Sequence, residues 1–158
     1  LFATGSLGHG LSLAAGTALG RRLQGEGGRI LCLTSDGEWQ EGSTWEALIF
    51  SCHHRLKNLT VLIDHNGLQG FGSTADVASM DPLWEKVNGF DVDITVVDGH
   101  DISAVREALD KKCSRPHLIF LKTIKGHGVP LMEGEMAWHY LPMSEEQYNS
   151  AITNMELT

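Results

Sequence analysis

The chain has 158 residues, with 42% hydrophobic and 20% charged residues, which suits one soluble globular domain able to bury its own core. Its formal net charge of −8 argues against a nucleic-acid footprint. No stretch approaches the roughly 18 apolar residues of a membrane helix, no basic start precedes an apolar core, and the three cysteines form no CxxC pair or zinc pattern, so a cytoplasmic protein with reduced thiols is expected.

Leu1 is not methionine, and residues 1–10 are rich in glycine and small residues, as expected of a fragment. Leu11, Ala14, Ala15, Ala18 and Leu19 then recur at helical spacing, which predicts a helix over residues 11–23. Gly25 to Gly28 breaks the chain before an apolar strand at 29–34. Residues 45–54 continue as a helix, with Ser43 or Thr44 as the expected N-cap. The branched run 59–64 is the next strand.

Residues 66–74 read as a glycine-bearing loop and 82–88 as a short helix. A strand at 91–97, an amphipathic helix at 102–112 and a strand at 117–123 follow. Residues 125–142 are irregular, broken by Gly126, Gly128, Pro130 and Gly134. A closing helix at 145–154 starts at Ser144, with Gln147 as its capping-box partner. Alternating strands and helices predict an α/β fold: a parallel sheet with helices on both faces, in a single domain over residues 1–158. Right-handed crossovers would align the strand C-termini along one edge, where ligands bind in such folds.

Asp36 lies just past the first clear strand and Asn66 just past the second. If those strands are neighbours, a carboxylate and an amide oxygen meet at one edge. Both are hard ligands suited to Mg²⁺ or Ca²⁺, and Mg²⁺ often completes its shell with phosphate oxygens. Spacing alone also fits two ordinary turns, Asp-Gly and Asn-Gly. Gly5-Ser6-Leu7-Gly8-His9-Gly10 precedes a helix, where backbone N–H groups and the helix terminus favour a phosphate. It is neither a P-loop nor a dinucleotide fingerprint, and a packing turn fits it as well.

Taken in order, Thr4-Gly5-Ser6-Leu7-Gly8-His9-Gly10-Leu11, Ser35-Asp36-Gly37-Glu38 with Gln40-Glu41-Gly42, Asp64-His65-Asn66-Gly67, Asp98-Gly99-His100-Asp101, Lys122-Thr123-Ile124-Lys125-Gly126-His127-Gly128 and Ala137-Trp138-His139 resemble the transketolase family. The likeness is nearest to the N-terminal subunits of split transketolases. It implies a thiamine-diphosphate-binding fold, incomplete at its N-terminus. By position it implies Asp36, the Asn66 side chain and the Leu68 carbonyl as ligands of Mg²⁺ (or Ca²⁺). Gly37 and Glu38 fall on the diphosphate side, and Gly5, Ser6 and Leu7 approach the thiazole and diphosphate. His139 corresponds to a histidine that reaches both the diphosphate and the reacting end of the substrate, and proton transfer near neutral pH suits imidazole.

The resemblance further implies transfer of a two-carbon ketol unit from a ketose phosphate to an aldose phosphate. The glutamate that activates the cofactor would come from a C-terminal transketolase subunit carrying the pyrimidine-binding domain, in a heterotetramer. Another thiamine-diphosphate reaction and a truncated, non-catalytic binding module are the alternatives. Three departures from the family pattern stand out. Ser35 replaces a glycine, which would be strained at positive φ. Trp39 and Tyr140 replace smaller residues and are expected to alter the substrate channel. His53 and His54 are expected to end a helix, and His100 to order a turn.

Overall fold

The computed structural model describes residues 5–155; Thr4, which opens the first family block, lies outside the described residues. The elements run α1 (Gly10–Leu23), β1 (Ile30–Ser35), a 3-10 turn (Gly37–Gln40), α2 (Gly42–His53), β2 (Leu59–His65), β3 (Leu68–Gln69), β4 (Gly72–Ser73), α3 (Thr74–Ala78), α4 (Leu83–Val87), β5 (Asp93–Asp98), α5 (Ile102–Asp110), β6 (His117–Lys122), a second 3-10 turn (Met136–His139) and α6 (Glu145–Met155). The long strands form one parallel sheet in the order β1-β2-β6-β5. Strands β1 and β2 are therefore neighbours, with Ser35 opposite Asp64.

Strand alternation divides the sheet into two faces, one fully covered and one left open at Leu31 and Leu33 of β1. Cys32, Val61, Ile63, Leu118 and Phe120 point into one core, beneath Leu11, Ala14, Ala15 and Ala18 of α1, Leu48 of α2 and Leu83 of α4. The alanines of α1 let its backbone lie close to β1. On the opposite face α5 packs over β5 and β6, burying Ala108. Helices on both faces of a parallel sheet are what the alternating pattern predicts.

Several boundaries differ from expectation for identifiable reasons. Helix α2 begins at Gly42, and neither Ser43 nor Thr44 caps it. The Ser43 hydroxyl donates to the Gly8 carbonyl at 2.8 Å and the Thr44 hydroxyl to the Glu38 carbonyl at 2.8 Å, so both serve neighbouring loops instead. The loop at 66–74 contains the two-residue strands of an antiparallel hairpin. Strand β5 starts at Asp93, whose N–H donates to the Pro116 carbonyl. The capping box at α6 is present as expected: Ser144 Oγ accepts the Gln147 N–H and Gln147 Oε1 accepts the Ser144 N–H.

Candidate cofactor site at the strand C-termini

The sheet register brings the ends of β1, β2 and β6 side by side. Asp36 leaves β1 and Asn66 leaves β2, and a hydrogen bond ties the two loops together. Asp36 Oδ2 accepts the Gly67 N–H at 2.6 Å, and its Oδ1 accepts the Gly37 N–H at 2.8 Å. Asp36 is only 4% exposed. Burial pushes its pKa above the ordinary value, against the pull of those two backbone donors. Among the described residues no lysine, arginine or histidine forms an ion pair with it. A buried carboxylate with backbone dipoles but no ion-pair partner is suited to a cation.

Asn66 Oδ1 accepts the Leu68 N–H at 2.9 Å, and its Nδ2 donates to Asp64 Oδ2 at 3.1 Å. Asp36, Gly37, Asn66 and Leu68 thus belong to one pair of bonded loops. Among the described residues no cluster of three or more His, Cys, Asp or Glu side chains is placed to hold a metal ion. A cation here would depend on one carboxylate, one amide oxygen and a backbone carbonyl, with ligand oxygens completing the shell. That donor set fits Mg²⁺ or Ca²⁺ and does not suit zinc.

The glycine-rich N-terminal loop joins the same edge. The buried Glu38 carboxylate accepts the Gly8 N–H at 3.2 Å. Gly8 has φ +80°, and a Cβ there would lie 2.4 Å from Ser43 Oγ and 2.9 Å from Glu41 Cβ. Only glycine allows this approach. Ser6 and Leu7 line a cleft of ≈ 790 Å³ together with Leu13, Leu31, Leu33 and Glu38. A second cleft, ≈ 880 Å³, lies between α5 and β5. Neither includes Asp36, Asn66, Leu68 or His139. The bonded strand-end loops define the candidate site, because ligand chemistry is carried by donor atoms and not by cleft size.

His139 is exposed and ends the second 3-10 turn. A Cβ at Gly70 would come within 3.5 Å of its ring, and the Tyr140 hydroxyl donates to the Gly70 carbonyl at 2.9 Å. His139 therefore sits beside the hairpin that begins at Leu68, close in the fold to the Asn66 loop.

The three departures resolve differently. Ser35 is the last residue of β1 and has no positive φ; its hydroxyl accepts the Glu38 N–H at 3.3 Å, so serine helps to form the turn. Trp39 is fully buried, donates to Thr34 Oγ1 at 3.2 Å and meets Trp45 edge-on at 5.5 Å. It belongs to the core and not to a substrate channel, contrary to expectation. Tyr140 is surface-exposed at 64% and latches the hairpin.

Other residues were not apparent from the sequence. Gln40 holds the hairpin side through Gln69, Thr74 and Ala78. Gln69 in turn packs against Gly37, where an added Cβ would lie 3.2 Å from Gln69 Cβ, so any larger residue forces a shift. His100 does order its turn, and its Nε2 also accepts the Ile124 N–H at 2.8 Å. Cys32, Cys52 and Cys113 are free thiols, and burial, with nearby Glu38, pushes Cys32 up to about 11.

A family profile described as "Transketolase, thiamine diphosphate binding domain" matches residues 2–156. The chain belongs to the transketolase family. An apulose-4-phosphate transketolase subunit of Actinobacillus succinogenes is 38% identical over 146 residues, covering 90% of this chain and 53% of that protein. The 6-deoxy-6-sulfo-D-fructose transketolase subunit SqwG of a Clostridium species is 36% identical, covering 97% of this chain and 57% of that protein. Among solved structures, the transketolase of Campylobacter jejuni superposes with a TM-score of 0.90 at 29% identity, over 98% of this chain and 26% of that one. The chain thus spans about half the length of these subunit relatives. No helix among the described residues is long and apolar enough to cross a membrane.

Proposed function

We propose that this chain is the diphosphate-holding part of a cytoplasmic, split transketolase. The observation that carries the reading is the Asp36–Gly67 bond, which joins two adjacent strand-end loops around a buried carboxylate without an ionic partner. Asp36, the Asn66 amide oxygen and the Leu68 carbonyl would hold Mg²⁺, or Ca²⁺ in its place. Gly37, its N–H held by Asp36 Oδ1, and Glu38 would shape the diphosphate side, and Gly5, Ser6 and Leu7 would border the thiazole.

Thiamine diphosphate, when bound, supplies the carbanion chemistry that side chains cannot. The chain's own contribution is orientation and proton handling. His139, through its ring nitrogens, would hydrogen-bond the donor's reacting oxygens and move a proton there. The two subunit relatives are named for apulose 4-phosphate and a sulfo-sugar, both carrying an anionic group. A phosphorylated or similarly anionic ketose is therefore the proposed donor, with an aldose phosphate as acceptor. A C-terminal subunit carrying the pyrimidine-binding domain would complete the site in a heterotetramer, because the relatives named as subunits imply a second chain.

Thiamine-diphosphate binding, measured with and without Mg²⁺ for the native chain and Asp36→Ala with the partner subunit, tests this. Binding should need the metal and be lost in the variant. Metal-independent binding untouched by the substitution would overturn the assignment.

A further inference from the structure

Asp64 has no part in the ligand set of Asp36, Asn66 and Leu68, yet both its carboxylate oxygens are engaged beside it. It occupies the next-to-last position of β2, opposite Ser35 of β1 and Leu121 of β6. Oδ2 accepts the Asn66 Nδ2–H, and Oδ1 accepts the hydroxyl of Thr123, the residue that follows β6. Thr123 is itself fixed from two sides. Its N–H donates to the His65 carbonyl at 3.3 Å. Its methyl occupies the space left by Gly99, where a Cβ would lie 2.4 Å away.

An asparagine side chain has two nearly isosteric ends, and only its partners decide which end faces where. An ionised carboxylate only accepts, so Asp64 selects the nitrogen. The Leu68 N–H only donates, so it selects the oxygen. A flipped amide would set oxygen against oxygen at Asp64 and N–H against N–H at Leu68. The two partners therefore agree on one orientation, with Oδ1 turned away from Asp64 and toward the loop that carries Leu68.

We infer that Asp64 is a positioning residue for the cation site: through the Asn66 amide it fixes which atom of Asn66 is presented to the metal, and Thr123 holds Asp64 in place. The inference rests on the reading of Asp36, Asn66 and Leu68 as metal ligands. Asp64 itself touches neither metal nor cofactor. It acts through the Asn66 amide, and residues that orient a ligand in this way commonly control metal affinity by roughly 10–100-fold.

The test uses the full-length protein with its partner subunit. Thiamine-diphosphate binding is followed by tryptophan fluorescence while Mg²⁺ is titrated, and Mn²⁺ binding by electron paramagnetic resonance provides a readout of the metal alone. Asp64→Ala should raise the Mg²⁺ midpoint by about 10–100-fold, while cofactor affinity at saturating Mg²⁺ changes far less. Asp64→Asn presents either an oxygen or an N–H to the Asn66 amide, and the Thr123 hydroxyl, which both donates and accepts, does not choose between them, so the variant should return only part of the metal affinity. Thr123→Val should shift the midpoint in the same direction by a smaller factor, and it carries the test where Asp64→Ala does not fold. An unchanged midpoint in Asp64→Ala, or an Asp64→Asn variant as tight as the native protein, overturns the inference while loss of metal-dependent binding in Asp36→Ala leaves the cation site standing. Binding that ignores Asp36→Ala as well overturns the underlying assignment.

Discussion

Gly126→Ala and Gly128→Ala add the same methyl group two residues apart, in the segment that leads to His139, and the structure gives them different consequences. Both glycines have positive φ, +74° and +83°. Alanine in that region costs roughly 1–2 kcal/mol for backbone conformation alone. At Gly128 nothing lies within 4 Å of the added Cβ, so that cost should be nearly the whole effect. At Gly126 the Cβ would lie 2.5 Å from the Met132 carbonyl oxygen and 2.6 Å from its carbonyl carbon. These are backbone atoms and cannot rotate aside. Overpacking of this kind adds about 1–3 kcal/mol.

For a domain of this size each kcal/mol moves Tm by about 2–4 °C. Gly128→Ala should therefore lower Tm by roughly 2–8 °C, and Gly126→Ala by roughly 4–20 °C, if the loss reaches global unfolding. Calorimetry measures the totals. Hydrogen exchange at the Gly134 N–H, which donates to the Lys125 carbonyl at 2.9 Å, reports the loop itself. Gly126→Ala should speed that exchange well beyond Gly128→Ala. Equal Tm values together with equal exchange at Gly134 would refute the argument, because they would mean the close approach to Met132 has no energetic weight.

Trp39→Ala should cost about 3–5 kcal/mol in urea unfolding, since the side chain is fully buried, and a loss below about 1 kcal/mol would contradict its place in the core. His117 is buried, and desolvation, then Lys111, push its pKa down despite Asp93. The unfolded chain therefore binds the proton more tightly. Stability should be full above the ordinary histidine value of about 6.5 and fall as pH drops through it. His117→Gln should reduce that slope in urea midpoints taken between about pH 7.5 and 5; equal slopes would exclude His117 as a source. Ser144→Ala removes the acceptor for the Gln147 N–H and should destabilise α6 by about 1 kcal/mol, read as faster amide exchange in its first turn.

The sequence revealed the parts of the fold whose stability is local or whose pattern is long. Strands β1, β2 and β6 are apolar runs bounded by turn residues, and α1 shows its small-residue face at helical spacing. The Ser144–Gln147 box is a contact within one turn. What stayed hidden depends on contacts between distant residues. Ser43 and Thr44 have the right chemistry for an N-cap, yet tertiary partners at Gly8 and Glu38 take their hydroxyls. The β3–β4 hairpin has strands of two residues, too short for any periodicity to show. Trp39 reads as a misfit against the family pattern because its burial is invisible in a linear motif. Asp36 and Asn66 could be placed at strand ends, but only the order β1-β2-β6-β5 makes them neighbours. Asp64 stands two residues before Asn66 with no visible role in the sequence, since its partner Thr123 arrives from another strand.

That dependence on neighbouring loops constrains how substitutions at the site are interpreted. Asp36 would be a metal ligand, and it is also the acceptor for two backbone N–H groups from different loops. Asp36→Ala removes both functions, leaving the buried Gly37 N–H unpaired at a cost of about 1–3 kcal/mol, and the half-buried Gly67 N–H at less, where water does not replace the oxygen. Removing a carboxylate whose pKa is raised by burial works in the opposite direction. Asp36→Asn separates these effects only partly, since an amide oxygen can accept from Gly37 or from Gly67 while its nitrogen opposes the other. The separation comes from comparison across the loop. Asp64→Ala leaves the Asp36 bonds intact and releases the Asn66 amide and the Thr123 hydroxyl. If cation binding weakens when either residue is changed to alanine, yet the Gly67 amide stays protected from exchange only in the Asp64 variant, the metal and the loop bond have been distinguished. If Gly67 loses protection in both, the two strand-end loops behave as one unit and ligation cannot be altered without moving the backbone.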